Sequence, residues 1–367
     1  MKPNLTRLSL AWLALCPIVY AAPFLAIGDG AELFVTGMVG VRADDNIFTA
    51  ANAQSDTIFD IAPGAEITFG KDSALQGALT LVDTFTSYSS NSNLNTNLFS
   101  GDFRTNYSDG KMKLNLTAGY HELNQNTEVI HGLTRRDVTS LGGNVEVEVS
   151  QITSVAAGPT FTHTKFKRAG YANSDDYVVP LNFYYKWTPK VEVSLGYTYR
   201  NYQTTIGSDT KDHFFNVGAR GEFTPLLTGE FSVGVTTREF ASGGSESMLG
   251  LTAKLNYALT PKTTLQLTSS SAPDTSPQGQ QQKNFSLGVT VSSNISDQWS
   301  VRGGLNWRAI DYTTRTDDYL EGQLGATYIV NTYINIIGSY VYRHNSSVIA
   351  SGEFTENVFS IAANLRY

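Results

Sequence analysis

Apolar and polar residues alternate along this chain for about a dozen residues at a time, over and over, from Glu32 to Tyr367. Successive side chains of a β-strand point to opposite faces, so each stretch reads as a strand with one apolar and one polar face. The segment 190–203 shows it plainly. Val191, Val193, Leu195, Tyr197 and Tyr199 fall on one side, and Glu192, Ser194, Gly196, Thr198 and Arg200 on the other. Leu251, Ala253, Leu255 and Tyr257 repeat the pattern against Thr252, Lys254 and Asn256, as do Phe285, Leu287, Val289 and Val291 against Ser286, Gly288 and Thr290. About 18 such segments follow one another, among them 32–43, 56–69, 111–122, 137–149, 152–166, 262–271 and 354–367. No stretch carries a sustained helical period.

The connections between segments come in two kinds. Short turns hold Gly70-Lys71-Asp72, Ser108-Asp109-Gly110, Thr188-Pro189-Lys190, Thr224-Pro225, Thr260-Pro261-Lys262 and Asn331-Thr332. Longer polar loops are expected between them, at Asp44–Ser55, Asn124–Arg136 and Ala272–Gln282. Short periplasmic turns and longer external loops are the asymmetry of an outer-membrane barrel. Aromatic residues cluster beside the short turns (Phe69, Tyr107, Trp187, Phe223, Tyr257, Tyr328, Tyr367), where an interfacial girdle would stand. Tyr120, Tyr199 and Tyr342 fall near the opposite ends. The fold expected is all-β: a closed antiparallel transmembrane β-barrel of about 18 strands. Closure is compulsory, because an unpaired N–H or C=O in hydrocarbon costs several kcal/mol. The last strand alternates to its end, with Phe359, Ile361, Leu365 and Tyr367 on one face, the pattern of a barrel-closing and assembly-signalling strand.

Residues 1–21 read as a secretory signal peptide, with Lys2 and Arg7 ahead of the apolar run Leu8–Tyr20 and Val19-Tyr20-Ala21 as the cleavage site. Residues 22–367 are then one barrel domain. The only cysteine, Cys16, lies in the leader, and Leu13-Ala14-Leu15 before it is no lipid-attachment sequence. Without the leader, disulfides, iron–sulfur clusters and thiolate chemistry are excluded. A net charge of -7 argues against a nucleic-acid partner. No cofactor, metal or catalytic residue is assigned. His121, His131, His163, His213 and His344 form no catalytic set in sequence, and no enzyme is expected.

The polar faces would line a lumen. Its cations would include Arg42, Arg104, Lys113, Arg200, Arg220, Lys254, Arg302, Arg308 and Arg343, and its anions Glu66, Glu146, Glu192, Glu222 and Glu321. This near balance argues against strong charge selectivity, and many of these groups are expected to pair across strands. Phe34, Tyr184 and Tyr333 are the main inward aromatics expected. Pro63, Pro159 and Pro180 fall inside strands and should mark bulges or strand ends. The acidic pairs Asp44-Asp45, Asp175-Asp176 and Asp317-Asp318, near external loops, could offer oxygen ligands to a divalent cation.

Val41-Arg42-Ala43-Asp44-Asp45-Asn46-Ile47-Phe48, followed by Ile61-Ala62-Pro63-Gly64, resembles the putative β-barrel porin 2 family. The resemblance implies an outer-membrane barrel of a Gram-negative-type bacterium and association with exopolysaccharide export. The first expectation of function is thus a channel component of surface or extracellular polysaccharide export. The alternatives are a general or solute-selective diffusion porin and a structural or adhesive barrel without an open pore. Expected partners are outer-membrane lipid and lipopolysaccharide, the barrel-assembly machinery, and components of polysaccharide export.

Overall fold

The computed structural model describes residues 22–28, 30–127 and 129–367. The expected signal peptide, 1–21, with Cys16, lies outside the described residues. Among them are twenty strands and one 3-10 turn, and no helix long and apolar enough to cross a membrane. Leu25–Ile27 is a three-residue edge strand, and Thr153–Ala157 and Thr160–Phe166 are two halves of one barrel strand. Eighteen barrel strands result.

In chain order they are β1 (Ala31–Asp44), β2 (Asp56–Phe69), β3 (Leu75–Tyr88), β4 (Thr96–Ser108), β5 (Met112–Thr127), β6 (Ile130–Ser150), the interrupted β7, β8 (Ser174–Lys186), β9 (Val191–Thr204), β10 (Thr210–Thr224), β11 (Leu227–Phe240), β12 (Ser245–Thr260), β13 (Thr263–Thr275), β14 (Gln281–Asn294), β15 (Trp299–Tyr312), β16 (Thr316–Ile329), β17 (Ile334–Ser346) and β18 (Phe354–Arg366). Each pairs antiparallel with its neighbours in sequence, and β1 closes the ring on β18 from Thr36↔Arg366 to Asp44↔Val358. Tyr367 continues that seam by exchanging both backbone bonds with Val35, at 2.7 and 2.9 Å. Beyond it the short strand Leu25–Ile27 covers the edge of β1, pairing with Leu33–Ala31.

The two faces are told apart by which side chains meet across a chord. Arg220 of β10 bonds Glu146 of β6, and Arg200 of β9 bonds Asp274 of β13, each over three intervening strands. Only the concave face allows this, so the polar face is the lumen. The opposite face carries Leu195, Phe215, Leu249 and Leu324, each 63 % exposed. A continuous apolar belt of this kind is stable against lipid rather than water. Aromatic pairs border it. Phe69–Phe103, Trp299–Tyr328 and Tyr333–Tyr367 lie at the short-turn end, with Phe161–Tyr177, Tyr197–Phe215 and Tyr340–Phe359 toward the other.

Three expectations need correction. The polar stretches Asn124–Arg136 and Ala272–Gln282 are not long loops. They are mostly strand, because β5, β6, β13 and β14 run on past the membrane belt, where water-facing strands need no apolar side. Tyr333 is no lumen residue. It ends the turn before β17 and lies against Tyr367, with ring centroids 5.2 Å apart. Finally, the acidic pairs do not act as pairs, because strand alternation sends neighbours to opposite faces. Asp176 faces inward to Arg200 while Asp175 faces outward to His163, and Asp44 faces inward while Asp45 bonds Asn357 at the outer seam. Asp317 likewise turns in toward Arg315, away from Asp318.

The prolines lie within strands, and the ladder lapses at each. Pairing of β2 with β3 stops at Ala62–Pro63 and resumes at Gly64. Gly158-Pro159 splits β7 opposite Pro180 of β8, and the gap is patched by Gly158 N–H to the Pro180 carbonyl at 3.2 Å and Gly143 N–H to the Pro159 carbonyl at 2.9 Å.

Candidate functional site: the lumen

The alternation of each strand carries most of its charged residues inward at two heights, leaving a largely neutral band between them in which Asp102, 3.2 Å from His121, is the exception. Near the short turns, Arg366 donates to Glu66 at 2.8 Å and stacks 3.5 Å over the Phe34 ring, and Arg104 stands 3.8 Å from the same carboxylate. On the opposite side Arg220 joins Glu192 at 2.7 Å and both oxygens of Glu146 at 2.6 and 3.0 Å, with its guanidinium 3.5 Å over Tyr184. Lys113 is exposed in this ring, Glu222 meets Lys190 at its rim, and Lys254 lies in register with Glu230. Arg302 occupies the same level of β15, opposite Ser292 and Gly325.

At the extracellular level most of the groups are packed against partners, although Arg42 stays partly exposed. Arg42 pairs with Asp60 at 3.0 Å. Arg343 lies between Glu321 (3.0 Å) and Glu356 (2.7 Å), and Tyr319 donates to Glu321 at 3.0 Å. Arg308 stacks over Tyr319 with its guanidinium 5.5 Å from the ring centre. Arg238, 1 % exposed, makes a bidentate pair with Asp212, both contacts 2.7 Å. Charges held this far from water persist only with such partners.

Between the rings the wall carries small neutral groups: Thr117, Gly142, Asn182, Gly196, Asn216, Gly234, Thr252, Thr268, Gly288, Ser339 and Ser360. A Cβ at Gly196 would come within 2.6 Å of the amide oxygens of Asn182 and Asn216, so a side chain there would have to push both amides aside.

The extracellular mouth is crossed by the chain itself. The β1–β2 loop, 45–55, turns inward. Ile47 packs with Ile58 and Tyr88, and Asn126 and Gly132 of the β5–β6 end donate to the carbonyls of Ile47 and Phe48. Asn46 is the hub of this loop. Its amide donates to Ala50 and Thr355 carbonyls at 2.8 and 2.9 Å and accepts from Ala50 N–H at 3.1 Å. From the far wall, the β13–β14 end reaches Val129 through Gln278, at 2.9 Å.

All the sequence-selected charges thus lie on the inner face, but they make two separate rings rather than one site. Sequence reasoning missed Asp212, Asp274 and Gln278 and the inward aromatics Tyr88, Tyr202, Phe214 and Tyr319, and it singled out Asn46 only as part of the family motif, without its role in the loop. Strand parity could have found Asp212 and the aromatics. Asp274 and Gln278 were hidden by reading their segment as a loop.

Several solved barrels share this architecture. OccK2 (OpdF) of Pseudomonas aeruginosa is 8 % identical with a TM-score of 0.51, covering 92 % of this chain and 98 % of that one. OpdK of the same organism, crystallised with vanillate, is 9 % identical with a TM-score of 0.50, over 92 % and 99 %. The FrpB iron transporter of Neisseria meningitidis (F3-3 variant) is 9 % identical with a TM-score of 0.52, over 89 % of this chain and 66 % of that one. Identities this low establish the fold alone. No curated protein matches this chain in sequence. The family model described as putative beta-barrel porin 2 matches residues 34–367, nearly the whole barrel. With its closed 18-strand wall and charged lumen, the chain belongs to that family, the putative beta-barrel porin 2 proteins of the outer membrane.

Proposed function

We propose that this barrel is a passive channel for small polar solutes across the outer membrane. The observation that carries the reading is the mostly neutral band of Ser, Thr, Asn and Gly between two rings whose charges are largely paired. Such a wall replaces part of a solute's hydration without holding it by net charge. The chain crossing the mouth favours small solutes over a polymer. OpdK, a barrel of the same fold, was crystallised with vanillate, which is in keeping with small cargo. The matching family is described as putative beta-barrel porin 2, and the reading accordingly includes no catalysis. It includes removal of 1–21 as a signal peptide, insertion by barrel-assembly machinery that reads Phe359, Ile361, Leu365 and Tyr367, and lipopolysaccharide as neighbour.

The test is reconstitution of the purified barrel. Step conductances in planar bilayers, with swelling of liposomes in small sugars or amino acids but not in long oligosaccharides, are expected. Sealed bilayers would overturn the proposal. Polysaccharide export, the expectation from family resemblance, is the second reading. A deletion strain that retains polymer inside the cell, restored by a plasmid copy, would put it first.

A further inference from the structure

Toward the extracellular end the wall is open between β12 and β13, as it is between β4 and β5 beyond Ser100↔His121. Pairing of β12 with β13 ends at Leu251↔Ser271. Beyond it β12 runs on to Ser245 paired only with β11, and β13 runs on to Thr275 paired only with β14. Two side-chain contacts span the gap, Ser271 Oγ donating to the Leu249 carbonyl at 2.8 Å and Lys283 meeting Glu246 at 3.0 Å.

The freed hairpin end, Ala272 to Gln282, leans into the lumen and is held there at its base and at its tip. At the base, Arg200 donates to the Pro273 carbonyl and Asp274, at 3.2 and 3.3 Å. Arg238 donates to the Asp274 carbonyl at 2.7 Å and to Gln281 at 2.9 Å. At the tip, Ala172 N–H donates to the Pro277 carbonyl at 2.7 Å, Gln278 reaches Val129, and Gly279 lies against Gly207. The Gly279–Gly207 contact is so close that a Cβ on Gly207 would come within 2.5 Å of the Gly279 carbonyl oxygen.

We propose that this hairpin end is a hinged flap with two bonded positions, inward over the mouth as seen here and outward, zipped onto β12; this rests on the channel reading above. The existing register already specifies the second position. Continued upward from Leu251↔Ser271, it sets Gly250 against Ala272, Met248 against Asp274 and Ser247 against Thr275. Zipping would satisfy the free edge of β12, which is costly to leave unpaired near hydrocarbon. Pro273 has no N–H, so the zipped ladder lacks one donor. Inward, the flap keeps the Arg200 and Arg238 contacts instead. Each position therefore satisfies groups that the other leaves free, the condition for a two-state element.

Two cysteine pairs test this, in a chain whose only native cysteine is Cys16. Ala172→Cys with Pro277→Cys locks the flap inward, and Ser247→Cys with Thr275→Cys locks it outward. Both disulfides should form in the folded barrel, as checked by heat-modifiable gel migration. The first should lower single-channel current at least tenfold, reversibly with reductant, and the second should abolish closures. The flap is overturned if the second pair stays reduced while both its thiols react with a small maleimide, or if the first disulfide leaves the current unchanged. Should the wild-type barrel pass no current at all, the channel reading fails by itself. Formation of both disulfides would still support the flap, and formation of the inward one alone would overturn it.

Discussion

Asn357 of β18 donates from its backbone N–H and its side-chain amide to the two carboxylate oxygens of Asp45, at 2.6 and 2.7 Å, although the residues are 312 positions apart. The contact finishes the closing seam at its extracellular end, as Val35 and Tyr367 finish it at the other. It also explains the motif Asp45-Asn46-Ile47-Phe48 in physical terms. Asp45 clamps the last strand, Asn46 folds the loop, and Ile47 buries it inside the mouth.

Replacing Asn46 with alanine should therefore destabilise the mouth rather than the wall. The change leaves the Thr355 carbonyl and both backbone groups of Ala50 without their amide partner, and an ordinary intramolecular hydrogen bond contributes about 0.5–1.5 kcal/mol net. The denaturation midpoint in detergent should fall, and current noise should rise. An unchanged midpoint would show that water replaces the amide without loss.

In the periplasmic ring Glu146 and Glu192 share Arg220. In Arg220→Gln, Glu146 and Glu192 lose their charge partner, and the periplasmic ring becomes more negative. The reversal potential in a salt gradient should move toward cation selectivity, and adding Glu146→Gln should move it part of the way back. If neither variant shifts the potential, ions do not pass this ring.

Leu195 faces lipid and its neighbour Ser194 faces the lumen. Leu195→Lys should cost about 2–4 kcal/mol if the position lies near the bilayer midplane. Ser194→Lys should cost far less, since its head group stays wet. Folding titrations into lipid vesicles measure both, and equal costs would contradict the face assignment.

Deleting Tyr367 removes both backbone bonds to Val35 and the ring packed between Phe24 and Tyr333. The seam then loses its last rung, and the yield of heat-modifiable barrel in the outer membrane should drop severalfold. Normal yield would mean that closure is complete at Arg366.

Most of the wall was legible before any coordinates. The segment 56–69 coincides with β2 and 354–367 matches β18 to one residue, and the inward and outward sets follow from parity alone. Legibility ended where the apolar face ended. Above the membrane belt β5, β6, β13 and β14 are polar on both faces, so their continuation looks like loop in sequence although the ladder persists. Tyr333 was misplaced for a related reason, since a turn residue has no strand parity to obey.

Sequence by itself determined how many strands there are, their order, and which side of each meets lipid. These are local properties, written in a period of two and in turn residues that need no distant partner. Only the tertiary structure decided which charges meet and where the mouth is crossed. Glu146 finds Arg220, and Gln278 finds Val129, because the closed wall curves back on itself and brings distant strands within side-chain reach. That distance is a property of the ring as a whole, and no stretch of the chain records it.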